Sequence, residues 1–571
     1  MDGVFLTEFD VLVIGAGLAG LSAAIEAKHN GATVCVLSLV NPIRSHSTAA
    51  QGGINAPLGN NPEGADDSVE RHAFDTVKGS DYLADQDAVE LMISKAPERI
   101  IELERWGTPF SRFSDGKIAQ RPFGGAGFPR TCFAADKTGH LIMHTLYEVA
   151  IREQIEIFED HAVTKIVSHN GSVQGVIAWN LVTGELKEFL AKSVVVATGG
   201  AGRIFSRTTN SIHSTGLGMA LAFWEGVGLK DMEFVQFHPT SLFGTNLLLS
   251  EAARGEGGYL VNKFGERFMS RYAPGAMELA PRDIVARGIQ TEVNEGRGIE
   301  DEFVFLDLRH LGKKRILERL PQIRELAIDF SGRDMITDCI PIQPAQHYTM
   351  GGIDCDIRGE TTIKGLFAAG EVACVSVHGA NRLGGNSLLE CAVYGKIAGD
   401  AAANRAKDKE SVHSSIVHNS FSQEKERFEQ LMNQNGSLKY REISERLRET
   451  MSNEVGIFRN KEDLSSALQT IRGLKKQTKS IGLAFAETRF NLGLLNLMSL
   501  QGMLDVAEII TLGALAREES RGGHFRTDFP KRDDKNWLKH TLGYYEGEQR
   551  PPRLEYGPVQ ITKWKPKARE Y

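Results

Sequence analysis

The sequence predicts an α/β protein: a βαβ dinucleotide-binding unit, interrupted by an inserted α+β module and followed by a helical domain and an irregular C-terminal tail. Two observations carry that class. An apolar run, Asp10-Val-Leu-Val-Ile14, passes through Gly15-Ala16-Gly17-Leu18-Ala19-Gly20 straight into the helix-forming Leu21-Ser-Ala-Ala-Ile-Glu-Ala27, and strand, glycines and helix in that order are the context the fingerprint requires. Further β-rich runs at Thr33-Val-Cys-Val-Leu37, Ser193-Val-Val-Val-Ala197 and Gly365-Leu-Phe-Ala-Ala369 then return at long intervals, so the nucleotide unit is split around an insertion. In the fingerprint, Gly15 allows the tight turn, Gly17 lets backbone approach a pyrophosphate, and Gly20 lets helix and strand pack closely. Leu18 and Ala19 belong to the same turn, and the N-terminus of the helix that follows supplies N–H donors and positive potential for the phosphates.

An acidic residue for a ribose hydroxyl is expected about 20 residues after the glycines. Ser38 stands at the end of the second strand instead, which makes NAD a poorer choice than FAD. The cofactor unit is then a Rossmann-like FAD-binding domain over residues 1–233 and 347–415, with a capping domain over 234–346. Charged and apolar positions mix at roughly helical spacing over 443–451 and 462–479, and proline is absent from 345 to 529. A helical domain over 416–525 follows, with the Pro-, Gly- and Tyr-rich tail at 526–571.

Composition narrows the class further. A chain of 571 residues exceeds one core and suggests two to four domains. Its formal charge of −7 comes with no basic block, which argues against a nucleic-acid partner. No apolar run is expected to reach the roughly 18 residues that span a bilayer, and no signal peptide or twin-arginine stretch is read before the first strand. The six cysteines, Cys35, Cys132, Cys339, Cys355, Cys374 and Cys391, fall at no metal-ligand or iron–sulfur spacing. No metal site is expected, and electrons leaving a flavin singly need a partner protein that holds clusters.

The run Arg44-Ser45-His46-Ser47-Thr48-Ala49-Ala50-Gln51-Gly52-Gly53 resembles the segment of succinate dehydrogenase and fumarate reductase flavoprotein subunits in which the histidine is bonded to the flavin 8α carbon. The resemblance implies that His46 is the covalent attachment residue and that Arg44, Ser45, Ser47, Thr48, Ala50, Gln51, Gly52 and Gly53 contact FAD. It extends along essentially the whole chain, through Gln236-Phe-His238-Pro-Thr240, Ser250-Glu251-Ala-Ala-Arg254, Pro281-Arg282-Asp283, Gln346-His347-Tyr348 and His378-Gly-Ala-Asn-Arg382. Thr198 and Gly199 after a strand, Glu371 on the ribityl chain, Arg382, and Ser387 and Leu388 at a helix start aimed at the flavin N1–O2 edge complete the implied cofactor set.

The same resemblance assigns the chemistry. A four-carbon dicarboxylate has two anionic ends, so cationic or donor groups are needed at both. Arg382 with His347 takes one carboxylate, and His238 with Ser250 the other; Ser250 stands where relatives usually carry Thr and keeps the hydroxyl. Phe110 packs on the substrate. Arg282 moves the substrate proton, and Glu251 and Arg254 relay it, with His238 beside them; burial, nearby cations and a neighbouring acid offset the ordinary reluctance of a guanidinium to give up its proton. Thr215-Gly-Leu217-Gly218 departs from the family pattern, which has Asp at Leu217, so a flavin contact ascribed to that Asp is not carried over. The stretches 516–526 and 531–537 match the family where it faces an iron–sulfur protein. The expected partners are an iron–sulfur subunit and membrane-anchor quinone-binding subunits, with the chain peripheral to the cytoplasmic side of the inner membrane. The alternatives are a soluble L-aspartate oxidase, against which His46 argues, and a non-catalytic flavin scaffold, which has no use for dicarboxylate anchors.

Overall fold

The computed structural model describes residues 8–569 except 410 and 486. Strand Glu8–Ile14 lies between Val34–Leu37 and Leu186–Val196, parallel to both, with Ile14 opposite Leu37 on one side and Val196 on the other. Glu156–Phe158 extends one edge. Beyond Leu186–Val196 the sheet turns antiparallel through Ser172–Asn180 and His161–His169. The last residues of Leu186–Val196 pair in parallel with Leu366–Ala368, so the second half of the split unit inserts beside the first. Continuous Val/Ile/Leu runs suit strands covered on both faces. Helices Leu18–His29 and Asn386–Lys407 pack together on this sheet.

The inserted module has its own antiparallel sheet, in the order Val235–Leu242, Ile340–Thr349, Val304–Asp307, Tyr259–Val261. Its hydrophobic cluster, including Leu249, Phe268, Ile289, Leu306 and Ile340, is separate from the main one. Helix Arg282–Asn294 lies on that sheet. By contrast, the four helices Ser414–Met432, Tyr440–Glu454, Lys461–Gln477 and Leu492–Ala516 share the main core with the flavin-binding sheet through Phe428, Leu447, Ile471 and Leu504.

Two expectations are corrected. Helix Leu492–Ala516 is long and apolar enough, by length and composition, to cross a bilayer, although no such run was expected; 89% of its most apolar window is buried, so it serves as the core of the helical part. The tail is also more regular than expected. Lys539–Tyr544 and Arg553–Pro558 form a hairpin that extends a five-stranded sheet by pairing with Leu229–Lys230. Before it, Arg517, Arg521 and Arg526 are almost fully buried, Arg517 on Glu233 (2.7 Å) and both Arg517 and Arg521 on Glu519. That stretch is therefore an internal ion network, and the charged face it adjoins is formed by 531–537.

Candidate active site

A cavity of about 310 Å³ runs from the Gly15 turn, past His46, to the junction with the inserted module. Its nucleotide end is lined by Gly15, Ala16, Gly17, Leu18, Ala19 and Ser38. Gly15 has φ +102°, and a Cβ there would meet the Ala197 carbonyl at 2.5 Å, so only glycine closes this turn. Gly20 does not line the cavity; a Cβ on it would lie 1.9 Å from the Gly15 oxygen. It acts by letting the helix approach the strand.

The middle is lined by Ser45, His46, Ser47, Ala50, Gln51, Gly52, Gly53, Thr198, Gly199 and Glu371, and by Ser387 and Leu388 at the start of helix Asn386–Lys407. Asn55 fixes that helix start, donating to the Gly384 carbonyl at 2.7 Å and to Asn386 Oδ1 at 2.8 Å. Burial lowers the His46 pKa to about 4, keeping the imidazole neutral and nucleophilic. The Ser211 amide lies 3.3 Å from its Nδ1 and the Asn210 amide nitrogen 3.4 Å from Nε2. Burial pushes Glu371 up to about 8 against a hydrogen bond from the Thr349 amide, so the acid is poised to meet hydroxyls as donor or acceptor. Ser45 Oγ and Thr198 Oγ1 are buried cavity-lining atoms without a protein hydrogen-bond partner, and both suit a ligand rich in hydroxyl and phosphate oxygens. These residues fit FAD.

Three expected contacts do not reach this cavity. Arg44 and Thr48 face a separate cleft with Lys137, His140 and Gln322; the segment runs through two tight 3₁₀ turns, 42–44 and 46–49, that divide its side chains between the two cavities. Phe110 sits in the main core, held in the turn after helix Gln86–Trp106. Phe123 and Tyr348 are the aromatic residues that line the cavity; the Phe123 ring would lie 2.7 Å from a Cβ at Gly52. Leu217 lines the cavity as an apolar residue where the family pattern has an acid.

At the far end the inserted module delivers His238, Ser250, Glu251 and Arg282, together with His347 from its strand Ile340–Thr349, and the flavin-binding unit adds Arg382. His238 and His347 rings lie 4.9 Å apart. Burial holds both imidazoles well below their ordinary range; Arg282 beside His238, and His238 beside His347, add to it. Both are therefore neutral hydrogen-bonding groups. Thr209 Oγ1 engages His347 Nδ1 at 2.8 Å, which leaves Nε2 for a ligand. Ser250 Oγ accepts from the Ala252 amide at 3.2 Å, and its own proton can point outward.

Arg382 stacks on the Tyr348 ring at 4.5 Å. Burial brings its pKa down to about 10, still leaving it a cation at neutral pH. Arg282 donates through Nε to Glu251 Oε2 at 2.8 Å, with Nη2 at 2.7 Å. Burial alone raises a carboxyl; here Arg282 and Arg254 outweigh it and hold Glu251 below its ordinary value. Arg254 stands behind Glu251, outside the cavity lining, at 3.9 Å, an ion-pair distance longer than a hydrogen bond. Gln236 Oε1 accepts from both Arg282 Nη1 and Arg382 Nη2 at 3.0 Å. It sets the spacing of the two guanidiniums, as Thr209 sets His347. Gln236 lay inside a motif run without a role of its own, while Thr209, Asn210 and Ser211 carried no sequence signal. Leu495, Asn496 and Ser499 also line the cavity, from the helical part.

Comparisons with known proteins place the chain in a family. The FAD binding domain model matches residues 10–388, and the fumarate reductase flavoprotein C-terminal model matches 444–571. The chain is 43% identical, over 97% of its length and 96% of the relative's, to the succinate dehydrogenase flavoprotein subunit of Rickettsia bellii. The chain belongs to the succinate dehydrogenase and fumarate reductase flavoprotein family. Against the fumarate reductase flavoprotein subunit of Mycobacterium tuberculosis, identity is 43% over 99% of each chain. A solved E. coli quinol fumarate reductase FrdA chain superposes with a TM-score of 0.95 at 41% identity, covering 99% of this chain and 98% of that one. The fold class expected from the sequence and the family resemblance are both borne out, and the chain is an oxidoreductase flavoprotein subunit that binds FAD.

Proposed function

We propose that this succinate dehydrogenase/fumarate reductase flavoprotein interconverts succinate and fumarate at the cavity end where Arg282, Arg382, His238, His347 and Ser250 converge. The observation that supports it most is a pair of guanidiniums bridged by one amide oxygen, with two neutral imidazoles 4.9 Å apart beside them. Arg382 and His347 hold one carboxylate, and His238 and Ser250 the other. The two neutral imidazoles add donors without adding charge, so two guanidiniums and Glu251 face a dianion. Bound FAD supplies the two-electron acceptor or donor for a hydride. Arg282 exchanges the proton of the neighbouring carbon, and Glu251, hydrogen-bonded to its Nε, takes the charge of the transfer. Arg254 passes the proton outward once the 3.9 Å gap to Glu251 closes.

His46 carries the FAD through its 8α carbon, as befits a neutral imidazole that lines the cavity and whose Nδ1 accepts from the Ser211 amide, leaving Nε2 for the bond. With six cysteines at no cluster spacing, onward electron transfer requires an iron–sulfur subunit docked beside 531–537, and beyond it membrane-anchor subunits that bind quinone. The chain then sits peripherally on the cytoplasmic side of the membrane. A denatured sample tests the linkage: yellow flavin fluorescence should stay with the polypeptide and be lost in His46→Ser, which still binds FAD reversibly. Flavin released by denaturing the unaltered chain would refute the covalent bond and favour the aspartate-oxidase reading.

A further inference from the structure

Helix Arg282–Asn294 has an open N-terminus. Its cap position is Pro281, which supplies no side-chain hydrogen bond, so the first turn depends on outside anchors for order. That turn carries Arg282. Its neighbour Asp283, whose side chain is 1% exposed, is the anchor: it accepts from Arg569 at 2.7 Å and from Arg287 at 3.0 Å. Burial opposes the Asp283 charge, but Arg569 and then Arg287 bring the pKa down to about 2.

Arg569 arrives from the other unit. Residues 560–564 are tied to the flavin-binding part, where Gln560 N donates to Asp85 at 2.7 Å, Gln86 Nε2 donates to the Trp564 carbonyl at 2.7 Å, and Trp564 packs edge-on to Phe74. The Arg569 guanidinium then lies 3.3 Å from Asp81 of the flavin-binding part while bonding Asp283 of the inserted module. Asp81 is itself fixed by Arg532 at 2.7 Å and the Gly522 amide at 3.0 Å. One guanidinium thus bridges two carboxylates on separately cored units, next to the residue that faces the substrate.

We propose that Arg569 is a positioning residue: by clasping Asp283 to Asp81 it fixes the first turn of helix Arg282–Asn294 and aims Arg282 into the cavity. This rests on the proton-transfer role proposed for Arg282. A misplacement of about 1 Å at a catalytic group costs roughly 100-fold, and loss of the clasp loosens the turn without removing the group.

Arg569→Ala should therefore lower kcat roughly 10-fold to 100-fold with KM little changed and flavin retained. Arg569→Lys, which keeps the charge, should recover most of it. Asp283→Asn, which weakens the Arg287 contact as well, should be at least as slow as Arg569→Ala, and the double variant should be no slower than Asp283→Asn alone, because the Arg569 contact is already lost there. Hydrogen exchange of the Ile284 and Val285 amides, which bond the Pro281 carbonyl, should quicken in Arg569→Ala, in Asp283→Asn and in the double variant. Wild-type turnover and exchange in Arg569→Ala, losses that multiply in the double variant, or an Arg569→Lys as slow as Arg569→Ala would each overturn the clasp. An Arg282→Lys control separates the two ideas: if it stays active the proton role fails, while the exchange data still decide the clasp.

Discussion

Thr209 and Gln236 show how much of this site is held by groups that never meet the reacting carbons. Thr209 fixes which His347 nitrogen is free, and Gln236 spaces two guanidiniums that would otherwise repel. Thr209→Val should raise KM for succinate about 10-fold, the loss of one hydrogen bond to a group that must present a single tautomer, with flavin content unchanged in steady-state assays. Phe110 and Phe123 separate by the same logic. Phe110→Ala removes core volume and should cost about 3–5 kcal/mol in denaturant unfolding, leaving KM near wild type in whatever folds; Phe123→Ala should weaken substrate binding. Arg282, Arg382, His238 and His347 were legible because each sits in a short motif whose neighbours repeat the family pattern. Thr209 was not legible, since its partner is 138 residues away and a lone hydroxyl in a loop has no local signature.

Among the elements, the βαβ unit was readable because its signals are local: an apolar run, three glycines and a helix within eighteen residues of Asp10. Gly20→Ala tests the tightest of those contacts. Its Cβ would fall 1.9 Å from the Gly15 oxygen, so helix and strand must separate, and the variant should purify with little flavin by absorbance; a full flavin load would show that the close approach is dispensable. The hairpin of the tail was unreadable for the opposite reason. Its pairing partner, Leu229–Lys230, is only two residues long and some 300 residues upstream, and neither strand alternates cleanly. Helix Leu492–Ala516 misled through its scattered polar residues, Asp505 and Glu508 among them. Those two accept from Lys475 and are buried by the helices around them.

At the scale of the whole molecule, two cores meet over one cavity, and the tail ties the flavin-binding part together. His540, on the tail hairpin, bridges Asp231 at 2.6 Å and Asp85 at 3.0 Å. Burial lowers its pKa, but Asp231 and then Asp85 outweigh that and raise it from 6.5 to about 9. A pKa raised on folding stabilises fully below the unfolded value and is lost as pH rises through the folded one. Stability to urea should thus lose this contribution between about pH 6.5 and 9, and His540→Gln should flatten that part of the profile. An equally steep fall in His540→Gln would assign the slope to other groups.

The central claim is that Arg282 handles the substrate proton. Stopped-flow absorbance of purified protein with its FAD decides it: succinate should bleach the flavin of the unaltered chain and fumarate should restore the oxidised spectrum. In Arg282→Lys, with flavin content and substrate-induced spectral shift intact, bleaching should slow at least about 100-fold, the lower range for losing a positioned acid–base group. Arg282→Lys bleaching near the wild-type rate would contradict the account.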